Sequence, residues 1–238
     1  VPRDYSKYIN RPGYQLPAGY DLAKYPRMSA TADMVILSFF DQKLNVLLVR
    51  RKNNPFQGYW AIPGGFVEQE EDLAEAASRE LLEETGIKKI KLQEFGAFGH
   101  PHRDPRTRTV TIAYLALIRK EMVRPKPGSD AADVAWFPAL KPPELAFDHE
   151  LVLQKVLMRL RELSILTPSL FQLLPRKFSL SELAGLCREV FREKIVPKTL
   201  GKNLKLKKLI KPAGKGFYVL VRKNFSPASL GFVIANPQ

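Results

Sequence analysis

The chain has one cysteine, Cys187, in 238 residues, so no internal disulfide can form. That scarcity fits a reducing compartment. It also lacks any uninterrupted apolar run near the ~18 residues that a membrane-spanning helix requires. The first residues, Val1-Pro-Arg-Asp-Tyr, lack the apolar stretch of a signal peptide. A cytoplasmic protein with no membrane partner is expected. Acidic residues are the other shortage: 24 Asp and Glu stand against 38 Lys and Arg, for a formal charge of +14. The imbalance is local. Between Arg176 and Lys223 there are 14 basic residues and three acidic ones, Glu182, Glu189 and Glu193. Such a density points to nucleic acid or another polyanion, the alternative being a merely soluble basic surface. Hydrophobic residues at 45% and charged residues at 26% are ordinary for a globular protein.

Residues 1–28 hold five tyrosines and several prolines without periodicity, which reads as an extended arm. Met34–Phe40 and Asn45–Arg51 are apolar runs of strand length, separated by a short polar turn that suggests a hairpin. Asn53–Gly58 reads as a loop and Tyr59–Ile62 as a short strand. Glu71–Thr85 carries Leu73, Ala76, Ala77, Leu81 and Leu82 at near-helical spacing, with Gly86 at the C-cap position. Further strands are expected over Ile90–Phe98 and Thr109–Ile118. A polar loop over Val123–Asp133 then leads to Ala135-Trp136-Phe137, and a helix begins near His149. Strands on both sides of one helix, followed by another helix, predict an α/β sandwich over 29–148.

The pattern changes in 149–238, expected to hold a linker helix and a second domain. Ser179-Leu180-Ser181-Glu182 matches a capping box ahead of an apolar run to Phe191. Pro197 opens a second helix with Leu200, Leu204, Leu209 and Ile210 on a partly apolar face. A turn over Lys211–Gly216 then joins a terminal strand pair. Helix, helix and hairpin is the order of a winged helix-turn-helix. Lys198, Lys202, Asn203, Lys205, Lys207 and Lys208 lie on or near the second helix, and Lys211, Lys215, Arg222 and Lys223 surround the wing. Lysines suit phosphate contacts that position a protein on double-stranded DNA, and Asn203 is the candidate base contact. Gly201 inside that helix costs about 1 kcal/mol against alanine.

The chemistry concentrates in one helix. Glu80, Glu83 and Glu84 are related by i, i+3 and i+4, so their carboxylates share one face. Three like charges there repel unless a cation neutralises them. Hard oxygen ligands suit Mg²⁺ or Mn²⁺. Arg79 has Glu75 and Glu83 one turn away on either side, so it can hold carboxylates in place. The Gly64-Gly65 turn lets backbone carbonyls approach a metal without a Cβ in the way. The bland alternative is an acidic solvated helix face.

Gly65, Glu71, Arg79, Glu80, Leu81, Glu83, Glu84, Gly86 and Ile87 reproduce the pattern G-x5-E-x7-R-E-U-x-E-E-x-G-U, with U a bulky aliphatic residue. Seven fixed identities at ordinary residue frequencies coincide about once in 10⁸ windows, so chance is not the explanation. The segment resembles the box of the Nudix hydrolase superfamily. The resemblance implies a Nudix α/β/α sandwich and cleavage of a nucleoside diphosphate linked to another group. It makes Glu80 and Glu84 metal ligands, Glu83 a further ligand or water orienter, the Gly64 carbonyl an additional ligand, and Glu71 with Arg79 a structural ion pair. Glu83, Glu84 and Arg79 would then form the catalytic set. Asp130 or Asp133 in the late loop could supply the base, as such loops often do in the family. Glu70 stands where many relatives have glycine.

Two more stretches narrow the resemblance. His100-Pro-His-Arg-Asp-Pro-Arg-Thr-Arg through Ala116 resembles ADP-ribose-directed Nudix domains. Phe171 to Leu183, with Gly216-Phe217-Tyr218, resembles the C-terminal winged helix of Nudix-related regulators of NAD metabolism. In those regulators the Nudix domain senses ADP-ribose and the winged helix represses NAD biosynthesis genes. Many carry a degraded box, whereas this one is intact, and they tend to be arginine-rich where this chain has lysines. Two functions follow: Mg²⁺-dependent hydrolysis of ADP-ribose, or an ADP-ribose-responsive DNA-binding repressor. A winged helix serving only as a dimer platform is the alternative to DNA binding. A homodimer is expected from the family and the aromatic arm.

For substrate contacts, Arg50, Arg51 and Lys52 or Arg103, Arg106 and Arg108 are candidates, Arg51 and Arg106 foremost, with a solvated surface as the alternative for each set. Tyr59 and Trp60 could stack on adenine or pack in the core. His100, His102 and His149 lack zinc-ligand spacing with Cys187, so no zinc site is expected.

Overall fold

The first long strand sets the architecture. β1 (Ser29–Phe40) is buried without a break from residue 31 to 38. Alternate residues face opposite sides of a strand, so continuous burial means that both faces are covered. Met34 and Ile36 pack with Ala76, Ala77 and Leu81 of α1 (Leu73–Thr85) on one side. Val35 and Leu37 pack with Val152, Leu153 and Val156 of α2 (His149–Leu166) on the other. This is the expected sandwich. A computed structural model describes residues 19, 21–25, 27–128, 131–166, 168–206 and 209–221, with the backbone alone at 22, 165, 166, 168 and 203–206.

Seven strands form the central mixed sheet. β1 pairs antiparallel with β2 (Lys43–Arg51) and parallel with β6 (Thr109–Leu117). β3 (Trp60–Ala61) and β7 (Ala131–Pro138) flank β2, β4 (Gly64–Phe66) pairs with β1, and β5 (Gln93–Phe98) edges β6. The predicted hairpin forms, with Asp41 and Gln42 both left-handed at φ 52° and 58°, the conformation a two-residue turn needs. β1 begins five residues earlier than its apolar run because Ser29, Thr31 and Asp33 continue the parallel ladder with β6. Asp72 caps α1 in a capping box with Glu75, and Gly86 closes the helix at φ 69°.

β8 (Phe178–Ser179), α3 (Leu180–Phe191), α4 (Pro197–Leu206), β9 (Ile210–Pro212) and β10 (Phe217–Leu220) follow in the order of a helix-turn-helix with a wing, the strands ordered β8-β10-β9. Ser179 and Glu182 form the predicted capping box. Gly201, costly in a helix, is explained by packing: a Cβ there would overlap Leu180 of α3. This unit joins the body through a shared core that continues from Val35 and Val156 to Phe178, Leu186 and Leu200. Gly185 of α3 lies against Phe39 and Gln42 at the hairpin tip, and Glu189 Oε2 accepts the Leu44 N–H at 3.0 Å. The boundary drawn at residue 149 falls on the first residue of α2, which covers the sheet.

Among the described residues no helix is long and apolar enough to cross a membrane. Most of the predicted arm, and Lys207, Lys208, Arg222 and Lys223, lie outside the described residues.

Candidate active site

The β3–β4 turn and α1 form the acidic wall of a cleft of about 350 Å³. Glycine is required twice at that turn. A Cβ on Gly64 would overlap the Ala32 carbonyl and the Asp33 carboxylate, and one on Gly65 would overlap the carboxylate of Glu80. The turn is therefore pressed between β1 and α1, and its close approach is to those elements.

Arg79 organises the wall. Its guanidinium binds Glu71 in two places, Nη2–Oε1 at 2.6 Å and Nε–Oε2 at 3.0 Å, and donates to the Phe66 carbonyl at 2.9 Å. Nη1 reaches Glu80 at 2.8 Å and Glu83 at 3.1 Å. The hydrogen bonds from Arg79 hold Glu71 below the usual carboxylate range, and Glu71 in turn raises Arg79. The ion pair expected of Glu71 and Arg79 is thus present. Glu75 differs from its reading as an Arg79 partner: its carboxylate accepts the Asp72 N–H at 2.9 Å in the helix cap.

Glu84 accepts the Gly64 N–H at 2.9 Å. Burial pushes its carboxyl up to about 8, against the pull of that hydrogen bond, with the neighbouring Glu80 charge adding to the rise. Burial likewise raises Glu80 despite Arg79 beside it. Glu80 and Glu84 line the cleft, whereas Glu83 is exposed on its rim side of α1. Among the described residues no three His, Cys, Asp or Glu side chains are already grouped as a metal cage. The donor set nevertheless fits a hard divalent cation. Two carboxylates one helical turn apart disfavour joint ionisation, and a closely packed glycine backbone adjoins them.

The far wall is basic. Arg51, Lys52, Arg103 and Arg106 line the same cleft. Arg51 and Arg106 are thereby brought beside the glutamates. The solvated reading of Arg103 is corrected: it is 7% exposed, bound to Asp148 at 2.7 and 3.0 Å and to Asp33 at 3.3 Å. A buried guanidinium at that depth requires carboxylate partners. His149 completes the floor. Its Nδ1 accepts the Ile62 N–H at 2.9 Å, and burial lowers its pKa, leaving a neutral ring whose Nε2 lies 3.8 Å from Asp33. Asp33, Asp148, His149 and Phe147 were missed as site residues. The one available signal was Asp33, a carboxylate immediately before the apolar run Met34–Leu37.

Of the remaining candidates, Asp130 lies outside the described residues. Asp133 is exposed on β7 and accepts the Val134 N–H. Trp60 packs on Phe137 with centroids 4.6 Å apart, so it belongs to the core, while Tyr59 is 41% exposed. Arg50 and Arg108 do not line the cleft. Burial pushes the Cys187 thiol up to about 12, leaving an inert core residue.

In the C-terminal unit Lys198 and Lys202 are exposed one turn apart on α4, and Lys215 sits between left-handed Gly214 and Gly216 at the tip of the wing. Asn203 and Lys205 are in α4, and their side chains lie outside the described part of the structure.

Comparison with known proteins agrees with this geometry. The chain is 37% identical over 172 residues to the ADPR responsive transcriptional repressor NtrR of Acinetobacter baylyi, covering 71% of this chain and 69% of that protein. It is 40% identical over 136 residues to the ADP-ribose pyrophosphatase of Methanocaldococcus jannaschii, covering 56% and 78% respectively. Shewanella oneidensis NrtR, in its crystal structure with a 27mer DNA, matches 84% of this chain and 95% of its own at a TM-score of 0.65 and 28% identity. The NUDIX domain family matches residues 29–159, more than half of the sequence, and with an intact box folded around Arg79 the chain belongs to the Nudix family.

Proposed function

We propose that the chain is a Mg²⁺- or Mn²⁺-dependent hydrolase that cleaves the diphosphate of ADP-ribose to AMP and ribose 5-phosphate. One observation carries the reading: Glu80 and Glu84 share a single cleft with Arg51 and Arg106. One wall suits a hard cation and the other suits phosphate oxygens. Glu80, Glu84 and the Gly64 carbonyl would hold the ion, with Glu83 as a further ligand or as the group that orients water. A bound divalent ion lowers the pKa of water and offsets charge developing on the attacked phosphorus. Arg79, clamped by Glu71, fixes Glu80 and Glu83 against the closing of that site. Asp130 is the proposed base; of the described residues nearest to it in the chain, Gly128 donates its N–H to the Glu84 carbonyl at 3.1 Å. The names of the relatives supply ADP-ribose as the substrate. Incubation with ADP-ribose and Mg²⁺ should release AMP. No release, or release undiminished in Glu84→Gln, rejects the proposal.

A second reading is favoured by Lys198 and Lys202 on one face of α4 with Lys215 on the wing. In it the chain is an ADP-ribose-responsive repressor that binds double-stranded DNA upstream of NAD metabolism genes, and Asn203 and Lys205 complete the contact surface. The two readings are compatible in one cytoplasmic homodimer, with an N-terminal arm over 1–28, a Nudix domain over 29–148, and a linker helix with a winged helix-turn-helix domain over 149–238. A gel shift on such an operator should be tighter than on random DNA. Equal binding rejects the repressor. Sedimentation as a 27.0 kDa species at micromolar protein rejects the dimer.

A further inference from the structure

The mouth of the cleft is built around one phenylalanine in an unfavourable backbone conformation. Phe147 has φ 56°, a left-handed value that a bulky residue rarely adopts, and Phe56 on the facing loop has φ 60°. Their rings meet with centroids 4.8 Å apart. The Arg51 guanidinium lies over the Phe147 ring at 4.8 Å from its centroid, and that of Arg106 sits between two rings, 5.5 Å from the Phe147 centroid and 4.7 Å from that of Phe66. One ring therefore gathers two like charges. Arg51 donates to the carbonyls of Pro55 and Asn53 at 2.8 and 3.5 Å, neutral partners, and burial together with the Arg106 charge holds it below its ordinary pKa. Arg106 is paired with Asp104 at 2.7 and 3.0 Å and remains 40% exposed toward the cleft mouth.

Two guanidiniums drawn to one ring repel each other, and an anion between them relieves that repulsion. We propose that Phe147 is a positioning residue that holds Arg51 and Arg106 as a two-guanidinium clamp for the oxygens of a diphosphate. The aromatic face orients each guanidinium by cation–π attraction, so that donors meet both phosphates of one ligand instead of either phosphate alone. The clamp gives the site its preference for diphosphates over monophosphates. This deepens the hydrolase reading and rests on it for the substrate, though anion binding can be measured independently.

The test uses the full chain and four forms: wild type, Phe147→Leu, Phe147→Gly and Phe147→Tyr. Glycine tolerates the left-handed backbone, so Phe147→Gly removes the ring without adding strain, and it covers the case in which Phe147→Leu folds poorly. Calorimetric titration with inorganic pyrophosphate in EDTA should show wild-type binding weakened at least about tenfold in the Leu and Gly forms and restored within about threefold in the Tyr form. With ADP-ribose and Mg²⁺, KM should rise by a similar factor while kcat changes less than about threefold, the mark of lost ground-state binding. Pyrophosphate binding absent from wild type, or equal in wild type and both ring-deleted forms, overturns the clamp. Pyrophosphate results as expected with no ADP-ribose hydrolysis by wild type overturn the hydrolase and leave the clamp standing.

Discussion

Replacing Glu84 with glutamine should change how stability depends on pH, in a direction set by the fold. Glu84 is raised from an ordinary 4.5 to about 8 by burial. The folded chain therefore holds a proton that the unfolded chain has released between those two values. Stability from this group is complete below pH 4.5, declines as pH rises, and is fully lost above about 8. At about 1.36 kcal/mol per pH unit the span sets a ceiling near 5 kcal/mol. Residual water at the cleft screens the charge, which lowers the expected change to roughly 2–3 kcal/mol. Glu80 shifts in the same direction and adds to the slope, the two titrating as a coupled pair. The assay is urea unfolding of wild type and Glu84→Gln from pH 5 to 8 in EDTA. Wild type should lose stability across that window by about 2 kcal/mol more than the variant. Saturating Mg²⁺ should flatten the wild-type slope, because an ion bound to the carboxylates stabilises their ionised form. Parallel pH profiles of the two proteins in EDTA would refute the reasoning, since they would mean that Glu84 titrates alike in the folded and unfolded chains.

Gly65→Ala places a Cβ on the Glu80 carboxylate; activity at limiting Mg²⁺ should fall at least about tenfold and recover in part at high Mg²⁺, measured by AMP release. Arg79→Lys loses the two-point grip on Glu71 and the reach to Glu80; unfolding free energy should drop by about 1–3 kcal/mol, with kcat reduced more than KM is raised. Lys198→Ala with Lys202→Ala removes two exposed charges from one face of α4; DNA affinity should fall and the slope of log K against log salt should shrink by about 2, while ADP-ribose hydrolysis is unchanged.

The parts of the fold that were readable are those governed by local periodicity and capping. α1 was expected over 71–85 and spans Leu73–Thr85, the N-terminal difference arising because Asp72 is the cap. The Ser179–Glu182 capping box placed the start of α3. β1 was read five residues short because Ser29, Thr31 and Asp33 interrupt the apolar pattern, yet partner strand β6 extends the ladder across them. Tertiary pairing overrides composition there. Gly201 looked like a weakness within α4 until the proximity of Leu180 supplied its reason. No local rule anticipates that contact, because it depends on how two helices cross.

The acidic half of the cleft was legible for a related reason: Glu80 and Glu84 are one turn apart on a single helix, and helical spacing alone aligns them. The basic half is assembled differently. Arg103 meets Asp33 across 70 residues and Asp148 across 45, and His149 meets Ile62 across 87. Residues so far apart carry no shared periodicity, so Arg103 and the surface arginines read identically in the sequence. What separates them is cost. A guanidinium buried without partners is far less favourable than one in water, so the depth of Arg103 forces both carboxylates into the site with it. Asp33 meets the same demand from within a buried strand, where Arg103 beside it makes its own burial tolerable. Each buried charge thus explains the other, and together with His149 they fix the floor on which the ligand-binding walls stand. The order of the cleft follows from these energetics: a neutralised, rigid floor, and above it an acidic wall and a basic wall that face one another across the same space.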